Sequence, residues 1–503
     1  MAAEPLLAEE KPPLKMDNSF LRNLFWTALE LLKPEFLQKR SKAASGPRTG
    51  SKTAWLDGLR GGAALMVCFM HLTVYTHQDL ELCYGAKVSE TEYNTSPAAL
   101  PIIRLPFTGG HYSVVLFFCI SGYVIPRRLV SMLHQGRQQD FVESMNSAMF
   151  RRPLRLFLPV VWSTLILWMI WHTTGVEVPF PPHQTNGFKE FFAWVVDMGK
   201  FVYFFRVGLL FSWYNFHTWT IPVEFRGSMF IFVWLFVMHT LPTKRRVLAT
   251  GGMVLYLSML SPGAWYACFF FGMFVSELDI LRDEGSSIQF FWDGAFKWLR
   301  ERKALRMVFY HFVFFCALYL ASQPSSDQLD KEAVMANCPG WKTLRLLIPP
   351  AYDDNTNQTY RWYYLFWAAA FTLVSVKEIP WLRWIFESGP AQYLGRHSFA
   401  LYLIHGPMIG LLSERLFFLT GTKGNNVTPD AAQKFGHLQD RWKNAPWWPF
   451  PDGGPKALEP NFLVCVAISI PIMLYVAEIG TKVFDAPSVR VSNWAWGRFK
   501  GMR

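Results

Sequence analysis

The chain is predicted to fold as an all-α, polytopic membrane bundle of about ten transmembrane helices with both termini cytoplasmic. Three observations predict it. Of 503 residues, 51% are hydrophobic and only 17% are charged, where an ordinary soluble domain carries about 25% charged residues. The apolar residues gather in repeated runs of about twenty, the length a helix needs to cross a bilayer. The Lys and Arg residues fall mostly on alternate sides of those runs. The same figures exclude a disordered chain, a coiled coil and a small disulfide scaffold. A net charge of +12 at this low charge density argues against a nucleic-acid partner.

Taken in order, the N-terminus has Glu4, Glu9 and Glu10 where a signal peptide carries basic residues, so a cytoplasmic extension over 1–54 is expected instead. Within it, residues 19–38 place Phe20, Leu21, Leu24, Phe25, Ala28, Leu31 and Leu32 at helical spacing. Arg22, Asn23, Glu30 and Lys33 interrupt the run, which predicts an amphipathic helix lying on the membrane surface. A basic linker follows. The membrane domain is expected over 55–490, with spans at 57–76, 107–126, 155–172, 218–241, 247–260, 264–280, 306–322, 362–376, 391–413 and 460–481. The fifth is short enough to be tilted or broken. Residues 188–211 are apolar but contain Lys189, Glu190, Asp197, Lys200 and Arg206, so an interfacial or re-entrant element is predicted there. Residues 491–503 form a basic cytoplasmic tail.

The connecting segments give the orientation. With an even number of spans, the segments on the side of the termini hold 29 Lys and Arg and those opposite hold 14. The positive-inside rule makes the richer side cytoplasmic. The glycosylation sequons at Asn94, Asn357 and Asn426 all fall on the other side, as acceptors in a luminal or extracellular loop must. Of seven cysteines, only Cys83 and Cys338 lie in those loops; they are the one plausible disulfide pair in an oxidising compartment. An endomembrane or the plasma membrane fits these signals.

Ionisable groups inside spans are costly and mark function by default. In the first span Arg60 and His71 are eleven residues apart, about 1,100° of helix, so they share one face and lie about 16 Å apart along the axis. Arg60 sits near the cytoplasmic edge, within reach of Asp57 or of a phosphate. His71 lies deep, where a neutral imidazole takes a proton from a hydroxyl or is simply satisfied by a neighbouring helix. The second span carries FFCISGY, with Ser121-Gly122 permitting close approach of a backbone or ligand. The third opens RRPLRLFLP: Arg151, Arg152 and Arg155 crowd one entrance and repel one another unless a polyanion lies between them. Positive-inside anchoring accounts for the same residues less tightly. The fourth begins WTIPVE, putting Trp219 and the carboxylate of Glu224 inside one end. The ninth reads LGRHSFALYLIH, in which Ser398, Tyr402 and His405 form a polar stripe, lining either a cavity or an interhelical hydrogen-bond seam.

These motifs, in this order from about 55 to 490, resemble the acyltransferase-3 family of integral membrane O-acyltransferases; Asp485-Ala-Pro487 is similar to that family's ending. Tyr123 departs from the Phe often found there, and the 1–50 extension is peripheral to the family core. The resemblance implies an acyl-coenzyme A donor, commonly acetyl, as co-substrate reached from the cytoplasm, and a hydroxyl-bearing acceptor. It implies His71 as the essential catalytic residue, assisted by Glu224, with Arg60, Arg151, Arg152 and Arg155 near the donor. Ser121, Tyr123, Trp219, Ser398, Tyr402 and His405 would line the substrate cavity. No permanently bound cofactor is expected: the chain has no Walker loop, dinucleotide glycine fingerprint, zinc-spaced Cys/His set or G-x-S-x-G elbow. The rival readings are a transporter of a small solute, using the same intramembrane groups for passage, and a non-catalytic family member; no internal repeat favours the transporter.

Overall fold

A computed structural model describes residue 26, residues 29–37 and, within 52–501, all residues except 90, 177–183, 185, 204–209, 327–330, 337, 353–358 and 423–446. The chain divides into two units, 1–45 and 46–503. In the first, residues 29–32 are helical and Glu35–Leu37 form a 3-10 turn. The rest of the expected amphipathic helix lies outside the described residues, as do the sequons at Asn357 and Asn426.

The second unit is helical throughout its described length, with only isolated β-bridges in loops. Its principal helices are α1 (Ala54–Thr76), α2 (Gly110–His134), α3 (Gln138–Thr174), α4 (Gly187–Val202), α5 (Thr220–Met238), α6 (Thr243–Leu255), α7 (Ala264–Asp283), α8 (Lys303–Ala321), α9 (Tyr360–Glu378), α10 (Gly389–Met408), α11 (Pro460–Gly480) and α12 (Ala486–Gly501). Each of the ten expected spans lies on one of these. Among the described residues, seven helices are long and apolar enough to cross a membrane, and eight if α9 and the helix Pro380–Glu387, bent by 93°, are taken as one. The chain is a multi-pass membrane protein on that count. α6 has only 13 residues before a π-turn at Tyr256–Leu260, and α10 carries Ser398, Tyr402 and His405 and runs into a π-turn at Ile409–Ser413. α4 is a 16-residue helix, not one of the seven. It buries Glu190 and Asp197 and exposes Phe188 and Phe192, the arrangement of an element that does not cross cleanly.

Two glycine-mediated crossings set the frame. A Cβ on Gly122 of α2 would collide with the Phe269 carbonyl of α7, and one on Gly272 of α7 with the Cys119 carbonyl. On α1 and α10, a Cβ on Gly61 would strike Gly395, and one on Gly395 the Asp57 carbonyl. Small residues allow such backbone contact, from which membrane helices gain much of their packing energy. α1 contributes to both apolar cores: Leu56, Leu59 and Ala63 pack with α2, α7 and α9, while Val67, Cys68 and Leu72 pack with α10 and α11. Large apolar side chains on the outer faces of α5 and α8, including Val233, Phe236, Val308 and Phe312, are exposed; lipid is their natural solvent.

Buried charge ties the expected cytoplasmic ends together. Glu277 of α7 accepts from Arg246 of α6 at 2.6 and 2.9 Å and contacts His134 of α2 at 3.2 Å. Tyr123 donates to Asp279 at 2.8 Å, and Lys377 of α9 pairs with the same carboxylate. At the other end Cys83 and Cys338 are disulfide-bonded, with Cα atoms 5.8 Å apart. Asn94 is buried and its amide nitrogen donates to the Asp79 and Leu82 carbonyls. The sequon amide is thus enclosed and bonded in the folded chain. The tail expected from 491 onward continues α12 and lies on α3, where Phe150 stacks on Phe499 with ring centroids 5.1 Å apart.

Candidate active site

A cavity of about 300 Å³ opens between α1, α2, α3, α5, α10 and the start of α12. Its wall carries Arg60, Arg152, Arg155 and Arg396 against two carboxylates, Glu224 and Asp485, with Ser121, Ser398, Thr220, Phe117 and Tyr402 between them. Arg60 pairs with Asp57 at 3.2 Å. It is held across to α10 by its Nε donating to Ser398 Oγ and its Nη2 to the Gly395 carbonyl, both at 3.0 Å. The Gly61–Gly395 crossing brings α10 close enough for those bonds. Arg152 Nε donates to Ser228 Oγ at 2.9 Å, and its Nη2 pairs with Glu224. The Ser121 hydroxyl donates to Glu224 as well. Glu224 is therefore satisfied from α3 and α2. Guanidinium forks in an enclosed, net-positive cavity suit phosphate groups.

A second cluster adjoins the first. His71 of α1, His405 of α10 and His217, on the 3-10 turn Phe216–Trp219 that leads into α5, meet ring to ring. Their centroids are 4.1 Å apart for His71–His217, 4.5 Å for His217–His405 and 5.2 Å for His71–His405. One nitrogen from each ring lies within 4.8 Å of the others, a spacing that leaves room for a ligand atom or an ion between them. The fold builds the cluster deliberately. Asn215 caps the turn, accepting from the His217 amide at 3.3 Å, and anchors it by donating to the Leu403 carbonyl of α10 at 2.7 Å. Gly406 leaves room for the imidazole: a Cβ there would collide with His217 Nδ1. Tyr402 is the common wall. It lines the arginine cavity, its ring centroid is 5.5 Å from that of His405, and its hydroxyl donates to the His217 carbonyl and accepts from Thr220, both at 2.8 Å.

The structure thus brings Arg60, Arg152, Arg155, Ser121, Glu224, Ser398 and Tyr402 to one cavity and His71 with His405 to its neighbour. Three expectations are corrected. Arg151 does not line the cavity; it turns to the surface and donates to Asn493 of α12 at 2.7 Å and to the Ser147 carbonyl, because adjacent helix positions point about 100° apart. Tyr123 is buried between α2 and α7, bonded to Asp279 and Arg127. Trp219 packs with Trp265 and Trp362, and neither aromatic belongs to the cavity wall. Arg396, Asp485 and His217 were missed. Arg396 and Asp485 stand inside motifs already singled out, one beside Gly395 and the other before Ala486-Pro487. His217 is two residues before Trp219, in what reads from sequence as a loop. The absence of a zinc-spaced set told nothing of this cluster, whose members come from three separate segments.

A multi-pass helical bundle with an arginine-lined cavity against a histidine cluster is the architecture of a membrane group-transfer enzyme. The profile of a family described as an acyltransferase domain, acyltransferase-3, matches residues 53–451, and the chain belongs to that family. Among characterised relatives it is 28% identical to O-acetyltransferase PaAT-1 of Phomopsis amygdali, over 93% of this chain and 89% of that protein. It is 26% identical to acyltransferase clz18 of Cochliobolus lunatus and 24% identical to acyltransferase R4 of a Phoma species, each over 74% of this chain and 86% of the relative. No solved structure matches it. The chain is a membrane acyltransferase, of the class that transfers groups other than aminoacyl groups.

Proposed function

We propose that this ten-span protein, with both termini cytoplasmic, moves an acyl group, most simply acetyl, from cytoplasmic acyl-coenzyme A to a hydroxyl of a hydrophobic metabolite, lipid or glycan. The membrane body runs over 55–490, between the 1–54 extension and the basic tail from 491, and resides in an endomembrane or the plasma membrane. Support comes first from one observation: the four-arginine cavity shares the wall of Tyr402 with the histidine cluster. A donor whose phosphates rest on Arg60, Arg152, Arg155 and Arg396 has its acyl-bearing arm directed along α10 toward His71. The name of the O-acetyltransferase relative agrees with acetyl transfer to oxygen.

In the reaction, a hydroxyl proton passes to His71 as the oxygen attacks the thioester carbonyl. The C–S bond breaks, and the thiolate takes the proton, leaving an ester and free coenzyme A. The competing route, a transient acyl-histidine, uses the same residue. Glu224, joined to Arg152, supports the donor side. Purified protein with labelled acetyl-coenzyme A tests the reading: acyl transfer or thioester hydrolysis is expected and is lost in His71→Ala. Unchanged turnover in that variant overturns the catalytic assignment. Solute uptake into vesicles with no acyl turnover overturns the enzyme reading in favour of transport.

A further inference from the structure

We propose that His217 and His405 complete a three-imidazole centre with His71 that holds the acceptor hydroxyl while His71 takes its proton. This rests on the acyl-transfer reading above and names the residues of its acceptor side. The first argument is convergence. Three histidines from α1, the turn before α5 and α10 stand with ring centroids 4.1 to 5.2 Å apart. Packing alone is served better by three apolar side chains, since each imidazole brings two polar nitrogens that need partners.

The second argument is the state of those nitrogens. His405 is fully buried. Its Nδ1 lies 2.6 Å from the Tyr402 carbonyl, which can only accept, so Nδ1 carries the hydrogen and Nε2 is a bare acceptor. That Nε2 is buried without a hydrogen-bond partner among the described residues, and so is His217 Nδ1. Leaving such an atom unsatisfied costs about 1–3 kcal/mol. Two of them in one cluster mark a place built for a ligand's polar group.

The third argument is what is not beside His71. Catalytic histidines are commonly steadied by a carboxylate, but Glu224 is committed to Arg152 and Ser121. Among the described residues, the rings stacked or set edge-on against His71 are the two other imidazoles, with His111 of α2 near enough to act on it electrostatically. The bare Nε2 of His405 receives the acceptor's O–H on binding, the proton passes to His71 as the oxygen attacks, and His217 closes the wall and fixes the ring. On collapse of the tetrahedral intermediate the same proton returns to the departing thiolate. The balance is one alcohol and one thioester to one ester and one thiol. His405 touches the acceptor through its bare Nε2, and His217, which packs against His71, is a positioning residue.

The test uses the full chain in lipid nanodiscs with acetyl-coenzyme A, reading thiol release with water as acceptor and with 1-dodecanol as a hydroxyl probe. His405→Asn keeps an N–H for the Tyr402 carbonyl and removes the accepting nitrogen; His217→Gln removes the second imidazole. The expected result is a fall in kcat of about 100-fold in H405N and at least about 10-fold in H217Q. KM for acetyl-coenzyme A stays unchanged and the melting temperature stays within about 2 °C of the parent. A merely structural role predicts the opposite: a lowered melting temperature, with folded H405N retaining turnover. Should H405N unfold, H217Q carries the test alone. Turnover within threefold of the parent in the folded variants overturns the proposal. So does stoichiometric transition metal in the purified parent that is lost in the variants, since the cluster is then a metal site. Full activity in H71A overturns the role of His71, and this proposal with it, while acyl transfer stands; no thiol release by the parent under either condition overturns the acyl-transfer reading itself.

Discussion

Arg152 of α3 and Glu224 of α5 form an ion pair in the wall of the arginine cavity, each side chain less than one-fifth exposed. Arg152 also holds Ser228, which donates to the Glu224 carbonyl at 2.6 Å. One guanidinium thus fixes a carboxylate, a hydroxyl and the approach of two helices. The fork is used in two directions at once, which a lysine ammonium does not reproduce. The carboxylate that a sequence reading assigns to the histidine is thus paired with the arginine of the cavity.

Donor affinity is expected to follow the cavity wall and to ignore the motif's outer member. Arg155→Ala and Arg396→Ala should each raise KM for acetyl-coenzyme A by about tenfold, the loss of about 1.4 kcal/mol of charge-assisted binding. Arg151→Ala should stay within about twofold, because Arg151 bonds Asn493 at the surface. Steady-state kinetics on the three variants decide it; a larger effect in Arg151→Ala than in Arg155→Ala would place the phosphates elsewhere.

Removing one partner of the Arg246–Glu277 pair should destabilise the bundle strongly. Both side chains are at most 2% exposed, and breaking a pair so enclosed costs about 3–5 kcal/mol, since the remaining charge is left without a counter-ion. Glu277→Gln is expected to lower the melting temperature in detergent and the yield of folded protein, without a selective change in KM. The double change Arg246→Met with Glu277→Leu should recover most of the loss.

The bond between Cys83 and Cys338 predicts a redox-dependent stability. Reduction should add two hydrogens by intact mass and lower the melting temperature, a loss typically of about 2–4 kcal/mol for a structural disulfide. Cys83→Ser should show the lowered melting temperature with no further response to reductant. An equal response to reductant in parent and variant would count against the pairing.

Alkaline pH should loosen the loops on the disulfide side. Burial lowers the Lys456 ammonium, but its hydrogen bonds to the Asp79 and Glu92 carboxylates outweigh that and hold it above the ordinary lysine value of 10.5. A group whose folded value is raised stabilises fully below its unfolded value and loses that contribution as pH rises through the folded one. Melting temperatures should therefore fall as pH passes above about 10.5, and Lys456→Met should flatten that part of the profile. An identical slope in the variant would refute the assignment.

What the sequence determined by itself is the membrane class, the place of the apolar helices and the motifs on which the site stands; the helix α12, expected only as a tail, was not among them. These are local properties: hydropathy over about twenty residues, and a polar group's cost inside an apolar run, are written in consecutive positions. Arg60 and His71 were legible because eleven residues of one helix carry them to the same face. Which side chains meet was decided only by the tertiary structure. Arg151 and Arg152 differ by one position, yet one reaches the surface and the other the cavity, because the direction of α3's neighbours sets the use of each face. His217 looks like a loop residue until Asn215 pins its turn to α10 and Gly406 clears its space. The separation of Glu224 from His71, and the meeting of three imidazoles, depend on glycine crossings between helices hundreds of residues apart in the chain, where no local period carries a signal.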